Sequence, residues 1–195
     1  HIGKEEENAV NRVLKSKYWA SGAGSKNVID FENEFRNYVD CKECVAVNSG
    51  TAALNLAMSL AEIKDKEVIV PSLTFVSTVN SILFNGGIPV FADINPETLC
   101  INKETIEEKI TENTKVILPV HFGGTPCKLD EIKKISQKHD LFVVEDAAHA
   151  AGANFDNKKI GSHSQAVCFS FHPVKNIAMP TGGIIAINDK KSNKM

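Results

Sequence analysis

Leu141-Phe142-Val143-Val144-Glu145-Asp146-Ala147-Ala148-His149 decides how this chain is read. Four apolar residues closed by two carboxylates read as a central parallel strand, buried on both faces. Ligands of open α/β sheets bind outside the carboxyl ends of such strands, and Asp146 stands at one. A carboxylate there is either a helix cap or ion-pair partner, or a group held for a ligand. Glu145, its neighbour, should point the other way and reads as structural. Downstream, Ala166–Phe169 reads as a second short buried strand, followed by Ser170-Phe171-His172-Pro173-Val174-Lys175. Pro173 stops regular pairing and leaves Lys175 just beyond the strand. Such a lysine is either a solvated loop charge or an amine held in a pocket. Gly182-Gly183 and a further strand, Ile184–Ile187, come next.

Upstream, Val45-Ala46-Val47-Asn48-Ser49-Gly50-Thr51-Ala52-Ala53 is a strand, a small-residue turn and the start of an apolar helix. The free N–H groups and dipole of that helix start suit an anion such as phosphate. An amine, a strand-end carboxylate and an anion cradle are the parts that pyridoxal phosphate needs. Between these points strands and helices alternate. Val68–Val70, Ile88–Ala92 and Val116–Leu118 read as strands. Helices are expected through Leu54, Leu56, Met58 and Leu60, over Thr74–Asn85, over Glu104–Ile110 behind an Asn102 cap, and over Leu129–His139. Alternation of this kind predicts a mostly parallel sheet covered by helices. Two helices precede it, Glu5–Ser16 with Val10, Val13 and Leu14 on one face, and Val28–Val39 with Phe31, Phe35 and Val39 as a packing stripe. Lys17–Gly24 breaks regularity between them with two glycines.

Five segments, in this order and spacing, carry a resemblance: Asn48–Leu54, Pro71–Thr78, Pro119–Gly123, Glu145–Ala150 and Ser170–Asn176. From near His1 to about Asn188 the chain resembles the DegT/DnrJ/EryC1/StrS family of pyridoxal-phosphate-dependent sugar aminotransferases. The resemblance implies the large domain of the aspartate-aminotransferase fold, a mixed seven-stranded sheet. Residues 1–44 would form an N-terminal helical segment and 45–195 the cofactor-binding domain. Because complete members run about twice this length, it also implies that the C-terminal small domain is absent from this chain.

The same resemblance assigns roles. Lys175 would hold the cofactor covalently and then shuttle a proton at the substrate carbon. Asp146 would keep the cofactor's ring nitrogen protonated, which makes the ring an electron sink. Phe75 would stack on the ring, or else be an ordinary core phenylalanine. Thr51, Ala52 and Ser170 match phosphate contacts, and Gly50 lets the backbone approach closely. His149 would lie near the cofactor's phenolic oxygen, or be a satisfied polar residue. His121 ends a strand on the same edge, from which it could reach the substrate or simply be structural, and His172 matches a motif position without an assignable role. Members that dehydrate carry histidine in place of the lysine, so Lys175 argues for amino transfer, from an amino acid such as L-glutamate to a keto sugar on a nucleoside diphosphate. A dehydratase or lyase on the same fold, and a non-catalytic cofactor-binding sensor or assembly protein, are the competing readings. A homodimer with shared active sites is implied. Pro180-Thr181-Gly182-Gly183 departs from the frequent Gly-Glu-Gly-Gly of the family, on the sugar-binding side.

Composition narrows the remaining classes. The 195 residues carry a formal net charge of -2, with 43% hydrophobic and 24% charged residues. No Lys/Arg block or aromatic–basic interleaving points to nucleic acid, and no apolar run is long enough to span a bilayer. Five cysteines, without secreted-scaffold spacing, fit a reducing, cytoplasmic setting. Cys41-Lys42-Glu43-Cys44 lacks a second pair and reads as structural or incidental. None of the six histidines shows zinc-ligand spacing. No Rossmann fingerprint, Walker lysine or Gly-x-Ser-x-Gly elbow occurs.

Overall fold

The computed structural model describes residues 2–18 and 26–189, so Trp19–Gly24 of the expected break and the end of the polar tail lie outside the described residues. A seven-stranded sheet forms the centre. Its strands are β1 (Glu43–Val47), β2 (Glu67–Pro71), β3 (Ile88–Ala92), β4 (Thr114–Ile117), β5 (Phe142–Asp146), β8 (Ala166–Ser170) and β9 (Gly183–Ile187). Their spatial order is β1-β9-β8-β5-β4-β2-β3. β9 runs antiparallel to both β1 and β8, while the β8–β5, β5–β4, β4–β2 and β2–β3 pairs are parallel. The sheet is therefore mostly parallel and mixed, as the alternation and the resemblance predicted. β6 (Asn154–Phe155) and β7 (Lys158–Lys159) form a separate hairpin. Asp156 and Asn157, both at positive φ, supply the tight turn that such hairpins favour. Two-residue strands carry no readable alternation, which is why periodicity did not show them.

The helices are α1 (Lys4–Ser16), α2 (Lys26–Val39), α3 (Gly50–Leu60), α4 (Val76–Phe84), α5 (Lys103–Glu107) and α6 (Leu129–His139). Helix α3 buries Ala53, Leu54, Ala57 and Met58, its small residues allowing close approach to β8 and β9. Helix α2 buries Phe35 and Val39. Phe35 meets Phe169 edge-on at 5.1 Å and Phe171 at 5.9 Å, contacts worth about 0.5–1.5 kcal/mol each beyond area burial. The stripe read from the sequence is thus a core stripe. Helix α1 buries none of its residues.

Two helix boundaries moved inward. Helix α4 starts at Val76, not Thr74, because Phe75 takes extended backbone angles (φ -76, ψ 144) as the cap residue. Helix α5 stops at Glu107, although its Asn102 cap is as expected, with Asn102 Oδ1 accepting from Thr105 N at 3.0 Å. No helix among the described residues is long and apolar enough to cross a membrane.

Candidate active site

Strands β1, β2, β4, β5 and β8 end on one side of the sheet and deliver residues to one cavity of about 290 Å³. Ser49, Gly50 and Thr51 follow β1; Thr74 and Phe75 follow β2; Val120 and Phe122 follow β4. Asp146 and His149 close β5, and Ser170 and Lys175 lie at the end of β8 and beyond it. β9 runs the other way, so its entry residues Thr181 and Gly182 reach the same edge. A parallel sheet gathers residues distant in sequence at its carboxyl edge.

One end of the cavity is built largely by backbone. Ser49 caps α3, its Oγ accepting from Ala52 N at 3.1 Å. Gly50 and Thr51 then carry first-turn N–H groups that have no partner within the helix, and both residues line the cavity. Ala52 differs from the sequence expectation. Its N–H is engaged by the Ser49 cap, and it does not line the cavity. A Cβ on Gly50 would lie 2.7 Å from Ser170 Cβ, so the helix start and the end of β8 touch with only glycine between them. Thr181 Oγ1 donates to Asn48 O at 2.6 Å and ties the entry to β9 onto the same turn.

Asp146 is 4% exposed, and each of its carboxylate oxygens accepts one hydrogen bond. Its Oδ2 accepts from Thr78 Oγ1 at 2.7 Å, and its Oδ1 accepts from Ala148 N at 3.1 Å. Its backbone N–H donates to Pro119 O at 2.9 Å, and its carbonyl accepts from His121 N at 3.0 Å. Glu145, fully buried, points to the other face, as its alternation with Asp146 requires. There its Oε2 meets His121 Nε2 at 2.8 Å. His121 Nδ1 accepts from Cys127 N at 3.1 Å, so the ring proton sits on Nε2 and is donated to the carboxylate. His121 is therefore a buried structural residue that does not line the cavity, which corrects the expectation that it could reach the substrate.

His149 is exposed at the cavity, where its Nδ1 accepts from Gly123 N at 3.3 Å and its ring meets Phe122 edge-on at 5.9 Å. Partial burial, then the positive charge of Lys175, lowers its pKa from the ordinary value, opposed by Asp146. The neutral ring with its proton on Nε2 is the favoured form. Phe75 is 70% exposed and lines the cavity, so it is not a core residue. His172 lines the cavity too, its backbone N–H on Ser170 Oγ at 3.4 Å.

Sequence reasoning missed Thr74 and Thr78, which are hydrogen-bonded to each other at 2.8 Å. Their four-residue spacing was visible; their link to Asp146, across 68 positions, was not. Cys41 and Cys44 have sulfurs 3.3 Å apart, far from any metal-like cluster, since no group of three ligands occurs among the described residues.

The model of the DegT/DnrJ/EryC1/StrS aminotransferase family matches residues 1–195. The chain belongs to that family. Among its relatives is the spore coat polysaccharide biosynthesis protein SpsC of Bacillus subtilis, 44% identical over 191 residues, which cover 97% of this chain and 48% of the relative. An aminotransferase from Psychrobacter cryohalolentis superposes with a TM-score of 0.93 at 35% identity, covering 98% of this chain and 49% of that one. A Bacillus subtilis structure with bound cofactor PMP superposes with a TM-score of 0.89 at 32% identity, covering 97% of this chain and 43% of that one. The chain spans about half the length of the curated relatives it matches. In this aminotransferase-family chain, the cavity offers what a phosphorylated pyridine aldehyde requires. A glycine-lined helix start, an exposed phenylalanine, a buried carboxylate and an amine all line the cavity's walls. The residues present fit pyridoxal phosphate.

Proposed function

We propose that this chain forms the cofactor-binding part of a pyridoxal-phosphate-dependent aminotransferase. It would carry an amino group from an amino acid, L-glutamate, to a keto sugar held on a nucleoside diphosphate. The observation that carries this reading is the convergence of Lys175, Asp146, Phe75 and the Gly50–Thr51 helix start on one cavity. When bound, the cofactor supplies the electron sink for moving a proton and an amino group at one carbon.

The protein's own residues do the rest. Gly50 and Thr51 N–H groups, with Ser170, would hold the phosphate. Each helix-terminus contact contributes about 0.3–2 kcal/mol, so several must act together. Phe75 would fix the ring plane, and Asp146, deeply buried and already aligned, would hold a proton on the ring nitrogen. Lys175 would hold the cofactor through its amine and would carry a proton at the substrate carbon. His149, neutral with Nε2–H outward from Gly123, would be a donor toward the cofactor's phenolic oxygen.

A homodimer sharing its sites is part of the same proposal. Phe75, Val76 and Val174, 70%, 60% and 78% exposed, give the cavity region an apolar rim that a second copy would cover. All five cysteines are free, which suits the cytoplasm.

The deciding experiment uses the full-length protein. Borohydride reduction followed by peptide mass spectrometry should place the cofactor on Lys175. Labelled amino nitrogen from glutamate should then appear in a keto sugar nucleotide, and Lys175→Ala should abolish the transfer. An adduct on another lysine, or transfer surviving Lys175→Ala, would overturn the assignment.

A further inference from the structure

We propose that Thr78 is a positioning residue that, with Thr74 behind it, holds Asp146 as the anionic partner of the cofactor's ring nitrogen and keeps the shared proton on that nitrogen. The proposal rests on the pyridoxal-phosphate reading above and adds a residue pair to it.

Thr78 lies in the first turn of α4 and is completely buried. A valine would have the same shape there without the cost of burying a hydroxyl. The hydroxyl is satisfied, and its direction follows from what its partners are able to do. An ionised carboxylate only accepts, so the single Thr78 proton points at Asp146 Oδ2, 2.7 Å away. Thr74 Oγ1, 2.8 Å from Thr78 Oγ1, must then be the donor of that second bond. The hydrogen bonds run one way, from Thr74 to Thr78 to Asp146. Thr74 lines the cavity, and toward it its hydroxyl offers lone pairs only.

The consequence for Asp146 is both geometric and electrostatic. Its backbone is already clamped by Pro119 O and His121 N, so only side-chain rotation remains free. Thr78 on one oxygen and Ala148 N on the other remove that freedom. Two donors on the carboxylate stabilise its charge. A proton shared with the ring nitrogen is thereby driven toward the nitrogen and away from the carboxylate oxygen. Chains of hydrogen bonds polarise one another in a low-dielectric interior, so Thr74 strengthens the Thr78 bond. α4 and β5 come from separate units of the chain, which makes this a tertiary device.

The test loads the full-length protein with pyridoxal phosphate labelled with 15N at the ring and reads the ring nitrogen by solid-state NMR. Wild type should give the protonated signal. Thr78→Val should shift the proton distribution toward the unprotonated signal by about tenfold, the effect of one lost bond to a charged group. Thr78→Ser, which keeps the hydroxyl, should restore the wild-type signal. If Thr78→Val does not fold, Thr74→Val decides, with a smaller shift in the same direction expected. A wild-type ring signal in folded Thr78→Val, or in Thr74→Val where Thr78→Val does not fold, overturns the positioning role. So does failure of Thr78→Ser to restore the signal. Wild type that takes up no cofactor on Lys175 overturns the reading of the site itself, an outcome distinct from the other two.

Discussion

Gly183→Ala tests whether the helix start and the sheet are in backbone contact at the candidate phosphate cradle. Gly183 opens β9, paired with Val47 on one side and Ser170 on the other. A Cβ there would lie 2.5 Å from the Ser49 carbonyl carbon, 2.6 Å from its oxygen and 2.7 Å from Gly50 N. Ordinary contact begins at 3.4 Å, so the strand and the turn must separate by roughly 1 Å. The opposing atoms are backbone, so no rotamer change relieves them. β9 lies between β1 and β8, so it has no free edge toward which to move. Overpacking of this kind costs about 1–3 kcal/mol, and the upper end applies to a contact this short. Against it stands the roughly 0.4–1 kcal/mol that alanine gains by restricting the unfolded chain. A net loss of about 2 kcal/mol is expected, enough to register and small enough to leave the protein folded. The displaced atoms are Ser49 and Gly50, so cofactor affinity should fall by about tenfold, equivalent to losing one good hydrogen bond. Urea unfolding and an absorbance titration with pyridoxal phosphate on the full-length variant measure the two quantities. Unfolding within about 0.5 kcal/mol of wild type, together with unchanged affinity, would refute the argument.

His121→Ala removes the donor to buried Glu145 and the acceptor of Cys127 N–H. Losing a hydrogen bond to a buried carboxylate and stranding a buried N–H cost about 3–5 kcal/mol together, read by urea unfolding; a loss below about 1 kcal/mol would show that the two bonds are dispensable. His149 has a lowered pKa in the folded protein, so its neutral form is favoured there. Its contribution to stability is full above the unfolded value of about 6.5 and is lost as the pH falls through the lower folded value. A histidine NMR titration should place its midpoint below 6.5. Lys175→Ala should raise that midpoint, and Asp146→Asn should lower it further. A midpoint at or above 6.5 in the unsubstituted protein contradicts the argument.

The alternation of strands and helices, and the places where strands end, are legible from local patterns in the chain. Asp146, Lys175 and the Gly50–Thr51 turn were legible as candidates because each stands at or just past a strand end, and such ends are marked locally by apolar runs, proline and small residues; Ser170, Phe75 and His149 were candidates only through the resemblance. Their identity as one set came from five spaced motifs. How polar groups are satisfied became visible only once the elements were packed together. Ala52 looked like a phosphate donor until the Ser49 cap took its N–H. His121 looked like a site residue until Glu145 and Cys127 claimed both ring nitrogens. Thr78 carried no signal beyond its spacing from Thr74, because its partner Asp146 is reached only when α4 packs against the sheet. The reversed direction of β9, which brings Thr181 and Gly182 to the cavity, was equally invisible. Periodicity reports which face of an element is apolar, a local property. Strand direction and the partner of a buried donor depend on contacts between segments far apart in the chain, and these exist only after the sheet has closed around them.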